Sequence, residues 1–99
     1  MAHSLVFAPE AEADILEAYD WYESQRRGLG EEFLNCVEAS LHALERHPER
    51  HAVAFAQYRR TLVRRFPYAI FFEATAETVT IYGVLHTARD PDKWRRRLG

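Results

Sequence analysis

The spacing of apolar residues changes from a helical period to a strand period near the middle of the chain, and this change constrains the fold more than any other feature. In the first half, apolar side chains recur every three or four residues, which predicts two amphipathic helices, from Pro9 to about Arg26 and from Glu31 to about His47. The break at residues 28–30 is short. Two helices joined by so short a turn predict an antiparallel helical hairpin.

The other apolar segments have the alternation and the β-branched composition of strands. One run covers residues 4–8, and three more cover residues 58–66, 68–73 and 78–86. The pattern does not classify residues 51–57. This order, β–α–α–β–β–β, predicts an α+β fold with the helical hairpin on one face of a largely antiparallel sheet that contains a three-stranded meander.

Length and composition indicate a single globular domain spanning residues 1–99. The chain is 47% hydrophobic and 28% charged, and no apolar run approaches the ~18–20 residues of a membrane span. The single cysteine, Cys36, excludes an internal disulfide, so we expect a cytoplasmic protein that does not bind membranes. Asp90 and Pro91 have the order of a helix cap and first turn, and predict a short terminal helix.

The charge is distributed unevenly. Residues 1–50 hold 4 Lys+Arg and 11 Asp+Glu, and residues 51–99 hold 9 and 4, which gives net charges of −7 and +5. All but one of the 13 cations are arginine, the exception being Lys93. Arginine binds carboxylates and phosphates in a fork and stacks on rings, so the second half is typical of a recognition surface. The alternative is that the basic half simply neutralises the acidic helices.

The side chains on the two sides of the predicted sheet are both rather apolar. Alternation places Phe71, Tyr82 and Val84 on the side that the helical hairpin does not cover. Either Trp94 of the terminal helix or another chain therefore covers them, and the shortness of that helix favours a partner.

Familiar catalytic and metal-binding patterns are missing from the sequence. No G-x-S-x-G motif or phosphate loop occurs, and Pro48 interrupts the helix that would align His47 with His51. We therefore expect no metal site and no cofactor. The carboxylates of the first helix are interpreted as its solvated face; they are Glu10, Glu12, Asp14, Glu17, Asp20 and Glu23.

Two groups of cations remain as candidate binding residues, because each is interleaved with aromatic side chains. The first group, near the Phe66-Pro67-Tyr68 turn, comprises Arg59, Arg60, Arg64 and Arg65. The second group, after the last strand, comprises His86, Arg89, Trp94, Arg95, Arg96 and Arg97. Such surfaces suit nucleic acid or a carboxylate-rich protein.

In the order and spacing of its segments, the chain resembles the RelE/ParE superfamily of bacterial type II toxins. The resemblance covers nearly the whole chain. It rests on Pro9 and a helix with Asp14, Ile15, Tyr19 and Tyr22, then His47-Pro48, Tyr58-Arg59-Arg60, residues 66–70 (FPYAI), and Val84-Leu85-His86 followed by Ala88-Arg89-Asp90.

This resemblance implies an antitoxin partner and a cellular target. ParE-like toxins are described as poisons of DNA gyrase without nuclease activity, and the helical hairpin and F-P-Y turn look more like this branch. The predicted antitoxin contacts are Arg59, Arg60, Arg64, Arg65, Phe71, Tyr82, Val84 and the groove beside the helical hairpin. The predicted target contacts are His86, Arg89, Trp94, Arg95 and Arg96.

RelE-like toxins are ribosome-dependent mRNA endonucleases, which is the alternative function. Cleavage without a metal needs a base, a cation for the phosphorane and an acid for the leaving oxygen. The resemblance places Tyr68 where the RelE branch is expected to have an arginine. Arg65, Tyr68 and His86 are the alternative catalytic set, and a degenerate, non-toxic interaction module is a third hypothesis.

Overall fold

The computed structural model describes residues 3–88 and 93–98, without the side chain of Trp94, and shows two long helices packed on one face of a five-stranded sheet. The predicted α+β class and the two-helix hairpin are confirmed. The elements in chain order are β1 (Ser4–Phe7), α1 (Pro9–Gln25), α2 (Leu29–Arg46), a single 3₁₀ turn (Pro48–Arg50), β2 (Val53–Phe55), β3 (Tyr58–Leu62), β4 (Tyr68–Ala74), β5 (Thr78–His86) and α3 (Lys93–Leu98).

The hairpin turn depends on one glycine and one carboxylate. Gly28 has φ of 89°, in the left-handed region that costs glycine little. The Glu23 carboxylate accepts hydrogen bonds from the backbone N–H of Gly28 at 3.0 Å and of Gly30 at 2.9 Å. These bonds satisfy free N–H groups at the start of α2, so the helix begins two residues before the predicted Glu31.

The strands are ordered β1-β5-β4-β3-β2 across the sheet. β3, β4 and β5 form the predicted antiparallel meander, while β1 pairs parallel to β5. β2 is an additional edge strand from the unclassified connector, and it pairs with β3 through Val53 and Phe55 only. Three residues are too few to give a periodic signal, so the sequence did not predict this strand.

The main core lies between the sheet and the helical hairpin and is rich in aromatic rings. Phe33 of α2 packs edge-on against Phe66 and Tyr68, with ring centroids 5.4 and 5.1 Å apart. The ring of Tyr22, on α1, packs edge-on against Phe66, with ring centroids 4.9 Å apart. The core therefore joins both helices to the segment that leads into β4.

A β-bulge reverses the predicted side of Val84. Phe71 pairs with Gly83 and Phe72 with Ile81, so Tyr82 is an extra residue in β5. Beyond the bulge the alternation is shifted by one residue. Val84 consequently lies in the main core, 1% exposed, and its predicted position beside Phe71 is wrong.

The opposite side of the sheet is covered in part by the chain itself. Phe71 forms a small cluster with Ala69 and Leu85, against which Ala54 and Leu98 pack. Phe71 is only 2% exposed. The expectation that a partner covers Phe71 is therefore wrong, because α3 and β2 already do so.

Candidate functional site

The four arginines around β3 divide into two whose guanidinium groups bind other parts of the chain and two whose guanidinium groups have no such partner among the described residues. Arg59 donates to the backbone oxygens of His51, at 2.5 Å, and Glu49. Arg65, in the turn after β3, pairs with Glu32 of α2 at 2.8 Å and lies 5.8 Å from the Phe66 ring. Hydrogen bonds from Arg65 and Arg26 lower the pKa of Glu32. Arg59 and Arg65 thus stabilise the fold.

Arg60 and Arg64 form the second group, and both are exposed. Arg60 pairs in register with Phe71, which places it on the sheet side away from the helical hairpin. Within the described ranges 3–88 and 93–98, neither guanidinium makes a hydrogen bond or ion pair. Two exposed guanidinium groups without an ion-pair partner among the described residues are available to carboxylates of a partner.

Tyr82 lies on the same side of the sheet as Arg60, two strands away on β5, and is partly buried. Its ring packs edge-on against Tyr58 at 5.4 Å, and its hydroxyl donates to the Glu73 carboxylate at 3.1 Å. Burial, followed by the hydrogen bond to Glu73, raises the pKa of the Tyr82 phenol. The ring is therefore neutral and held in place at neutral pH.

A second candidate site is a cleft of about 290 Å³ where α1, β4, β5 and α3 meet. Tyr68 and His86 lie side by side in it, with ring centroids 5.2 Å apart. The Nδ1 atom of His86 accepts a hydrogen bond from the backbone N–H of Ala88 at 3.1 Å. One wall is acidic and the other basic, and the lining residues are Asp14, Glu17, Ala18, Trp21, Tyr68, Val84, Leu85, His86, Lys93 and Arg96.

Asp14 anchors this cleft, and its predicted place on a solvated helix face is wrong. Its carboxylate accepts from Arg97 Nη1 at 2.6 Å and Nη2 at 3.2 Å, and from the backbone N–H of Val84 at 3.0 Å. The Asp14 side chain is 9% exposed. Gly83 lets this pair approach β5, because a Cβ there would stand 3.2 Å from Arg97. The pair therefore fixes α3 to α1 and β5.

We expect Asp14→Ala to destabilise the protein by about 3 kcal/mol, because it leaves a part-buried guanidinium and a β5 N–H without their acceptor. For a domain of this size the melting temperature falls by on the order of 15 °C. Thermal unfolding followed by circular dichroism measures the change. Asp14→Asn retains one acceptor and should lose less, while exposed Asp20→Ala should change stability little. Equal melting temperatures for Asp14→Ala and Asp20→Ala would show that the pair contributes nothing.

The alternative catalytic set is not brought together. Tyr68 and His86 share the cleft, but Arg65 is bound to Glu32 and does not line it. Tyr68 is itself 5% exposed and packed into the main core. The cations nearest this pair in the cleft wall are Lys93 and Arg96 of α3.

The structure describes some of the predicted target-binding residues and not others. His86 and Arg96 line the cleft, and Arg95 is exposed on α3. Arg89 lies outside the described residues, as does the side chain of Trp94. Arg97, which the sequence pattern placed among the candidate binding residues, instead pairs with Asp14 and holds α3 in place.

Searches for two other kinds of site were negative within the described part of the chain. No group of three or more His, Cys, Asp or Glu side chains there is arranged to hold a metal ion. None of the described helices combines the length and apolar character needed to cross a bilayer.

Comparison with known proteins identifies the family and the fold. Residues 5–91 match the family described as the ParE toxin of the type II toxin–antitoxin system parDE. The chain therefore belongs to the ParE toxin family. A solved structure described as the chromosomal ParDE TA system from P. aeruginosa shares the fold, with a TM-score of 0.76 over 86% of this chain and 96% of that one, at 17% identity. The comparison with curated proteins gave no match.

Proposed function

We propose that this chain acts as a toxin by binding DNA gyrase and that a cognate antitoxin holds it inactive. Membership of the ParE family and the shared fold of a ParDE system support a toxin of a type II pair. Both proposed partners act in the cytoplasm, which is where we place the chain.

The observation that carries a binding role, rather than a catalytic one, is the composition of the cleft. Tyr68 is packed into the core, at the position where the resemblance to RelE-like toxins implies an arginine, and the Arg65 guanidinium is paired with Glu32. A phenol carries no positive charge near neutral pH. His86 and Arg96, which share the cleft, are proposed to contact the target.

The proposed antitoxin contacts are Arg60, Arg64 and Tyr82. Exposed guanidinium groups that form no ion pair with the described residues favour a partner that brings carboxylates. Phe71 and Val84 are left out of this proposal because both are buried within the chain.

A ribosome-dependent mRNA endonuclease is the second candidate, and the contact between Tyr68 and His86 favours it. Two groups able to exchange protons lie side by side in a polar cleft, as an acid–base pair would. This candidate needs a cation from Lys93 or Arg96, the basic residues that line the cleft.

We expect expression of the chain alone to arrest growth, and co-expression of its cognate antitoxin to restore it. Binding of the antitoxin removes the toxin from its target by mass action. Viable counts after induction measure both effects, and an antitoxin from an unrelated pair is the control. Undiminished growth without any antitoxin would instead support the degenerate interaction module.

A further inference from the structure

Trp21 of α1 lines the cleft between α1 and α3, yet 45% of its surface is exposed. Of the large hydrophobic side chains that the described residues expose, it is the one that lines this cleft. Its ring packs edge-on against the buried Tyr22, with ring centroids 5.0 Å apart, so a core residue holds one side of the indole. An exposed tryptophan beside a cleft is typical of the residues that dominate the binding energy of protein interfaces.

Glu17 supplies a carboxylate one helical turn before Trp21. It lines the same cleft, is exposed, and makes no hydrogen bond or ion pair within residues 3–88 and 93–98. The residues three and four positions away on α1 include no lysine or arginine. Asp14, the other carboxylate among the described lining residues, is already bound to Arg97. Glu17 is therefore the carboxylate of the cleft that a partner can bind.

The spacing of Glu17 and Trp21 suits a single cation. Residues four apart on a helix have Cβ atoms about 5–6 Å apart. A cation within about 6 Å of an indole centroid is attracted by the ring face, and the nearby carboxylate adds an ion pair. Arginine uses both contacts at once, because its planar guanidinium stacks on a ring while its N–H groups bind a carboxylate. The pair therefore favours arginine over lysine.

The size of the cleft and its other wall restrict the ligand further. At about 290 Å³, the cleft lies just below the roughly 300–1,000 Å³ of sites for small molecules, so it suits one long side chain better than a nucleotide. Lys93 and Arg96 line the α3 side. These two cations repel an arginine from that side and direct it toward Glu17.

We propose that the cleft binds an arginine side chain of the protein target, with Glu17 as its ion-pair partner and Trp21 as the ring on which it stacks. The inference rests on the proposed function and names the residue type through which gyrase is bound. Glu17 and Trp21 lie on α1, whereas the proposed antitoxin contacts Arg60 and Arg64 lie on β3 and in the turn that follows it. Substitutions in the pair should therefore impair binding of the target and leave antitoxin binding unchanged.

The Kd of the purified chain for gyrase holoenzyme tests the pair. Trp21→Ala and Glu17→Arg should each raise this Kd about tenfold or more, and Trp21→Phe should raise it less because it keeps a ring. Their effects should not add, because both residues contact the same guanidinium. The matched controls are Glu38→Arg, at an exposed glutamate of α2, and Phe55→Ala, at an exposed ring of β2. The melting temperature and the Kd for the antitoxin show whether each variant is folded.

Replacement of gyrase arginines by glutamate, one at a time, identifies the partner residue. One such replacement should weaken binding of the unchanged chain and restore binding of Glu17→Arg. A scan in which no arginine of gyrase matters, or an unchanged Kd for Glu17→Arg or Trp21→Ala, would overturn the inference and leave the proposed function intact. Tighter binding by Glu17→Arg would also overturn it, because the cleft would then bind an anion. An unchanged chain that neither binds nor inhibits gyrase would overturn the proposed function and this inference with it.

Discussion

Arg60→Glu/Arg64→Glu is expected to weaken the complex with the antitoxin by about a thousandfold, because each desolvated arginine–carboxylate pair costs roughly 2–5 kcal/mol when one partner is lost. Both guanidinium groups are exposed and unpaired within the described chain, so their replacement breaks no contact of the fold described here. Isothermal titration calorimetry with the purified antitoxin measures the change in Kd.

The matched control for this prediction is Arg46→Glu/Arg50→Glu. Arg46 and Arg50 are also exposed, and the control changes the net charge by the same amount at the end of α2 and in the 3₁₀ turn. Long-range electrostatics would weaken binding in both double variants, whereas a direct contact affects only Arg60 and Arg64. Unchanged affinity for Arg60→Glu/Arg64→Glu would exclude these two arginines from the interface.

The sequence predicts the helical hairpin well because its signals are local and agree with one another. Pro9 begins α1, Gly28 supplies the left-handed turn, and Pro48 follows the end of α2. The apolar stripe of α2, from Phe33 to Leu44, is the buried stripe of the structure. A family resemblance was not needed for this part of the fold.

The sheet was less predictable because its register depends on pairing between distant strands. The extra residue at Tyr82 is marked in the sequence only by the neighbouring Gly83, which is compatible with a bulge but does not fix one, yet it moves Val84 to the opposite side of the sheet. The parallel pairing of β1 with β5 joins residues more than seventy positions apart, such as Ser4 and Thr78. Neither feature follows from the period of a single strand.

The burial of Asp14 could have been predicted from its position in the helical period. Asp14 lies three residues after Ala11 and four before Ala18, both buried, so the helical period places it on the core face. Its partner Arg97 is one of three consecutive arginines in α3, and nothing in the sequence distinguishes it from Arg95 and Arg96. The acidic and basic halves thus neutralise each other in part, through Asp14–Arg97 and Glu32–Arg65, and leave Arg60 and Arg64 exposed.

The two candidate functions require different cleft chemistry, and Tyr68 distinguishes them. Its ring packs against Phe33 at 5.1 Å and His86 at 5.2 Å, so Tyr68→Phe should preserve the packing and remove only the hydroxyl. Loss of one preorganised charge contact to a transition state typically costs about 10²–10³ in rate. With tyrosine in place of that cation, we expect messenger cleavage to be absent.

The purified chain is therefore expected to inhibit gyrase supercoiling, and cells that express it are expected to show DNA damage and filamentation with intact messenger. The reason is that the cleft offers a surface of mixed charge, with His86 and Arg96 as contacts, while Tyr68 occupies the position where the resemblance to RelE-like toxins implies an arginine. Supercoiling assays in vitro and primer extension on messenger from induced cells measure the two activities. His86→Ala and Arg96→Ala should weaken gyrase inhibition, while Arg46→Glu, at the end of α2, should not. Codon-positioned cuts that vanish in Tyr68→Phe or His86→Ala would instead establish the nuclease, because cleavage that needs the Tyr68 hydroxyl or the His86 imidazole makes that group part of the catalytic machinery.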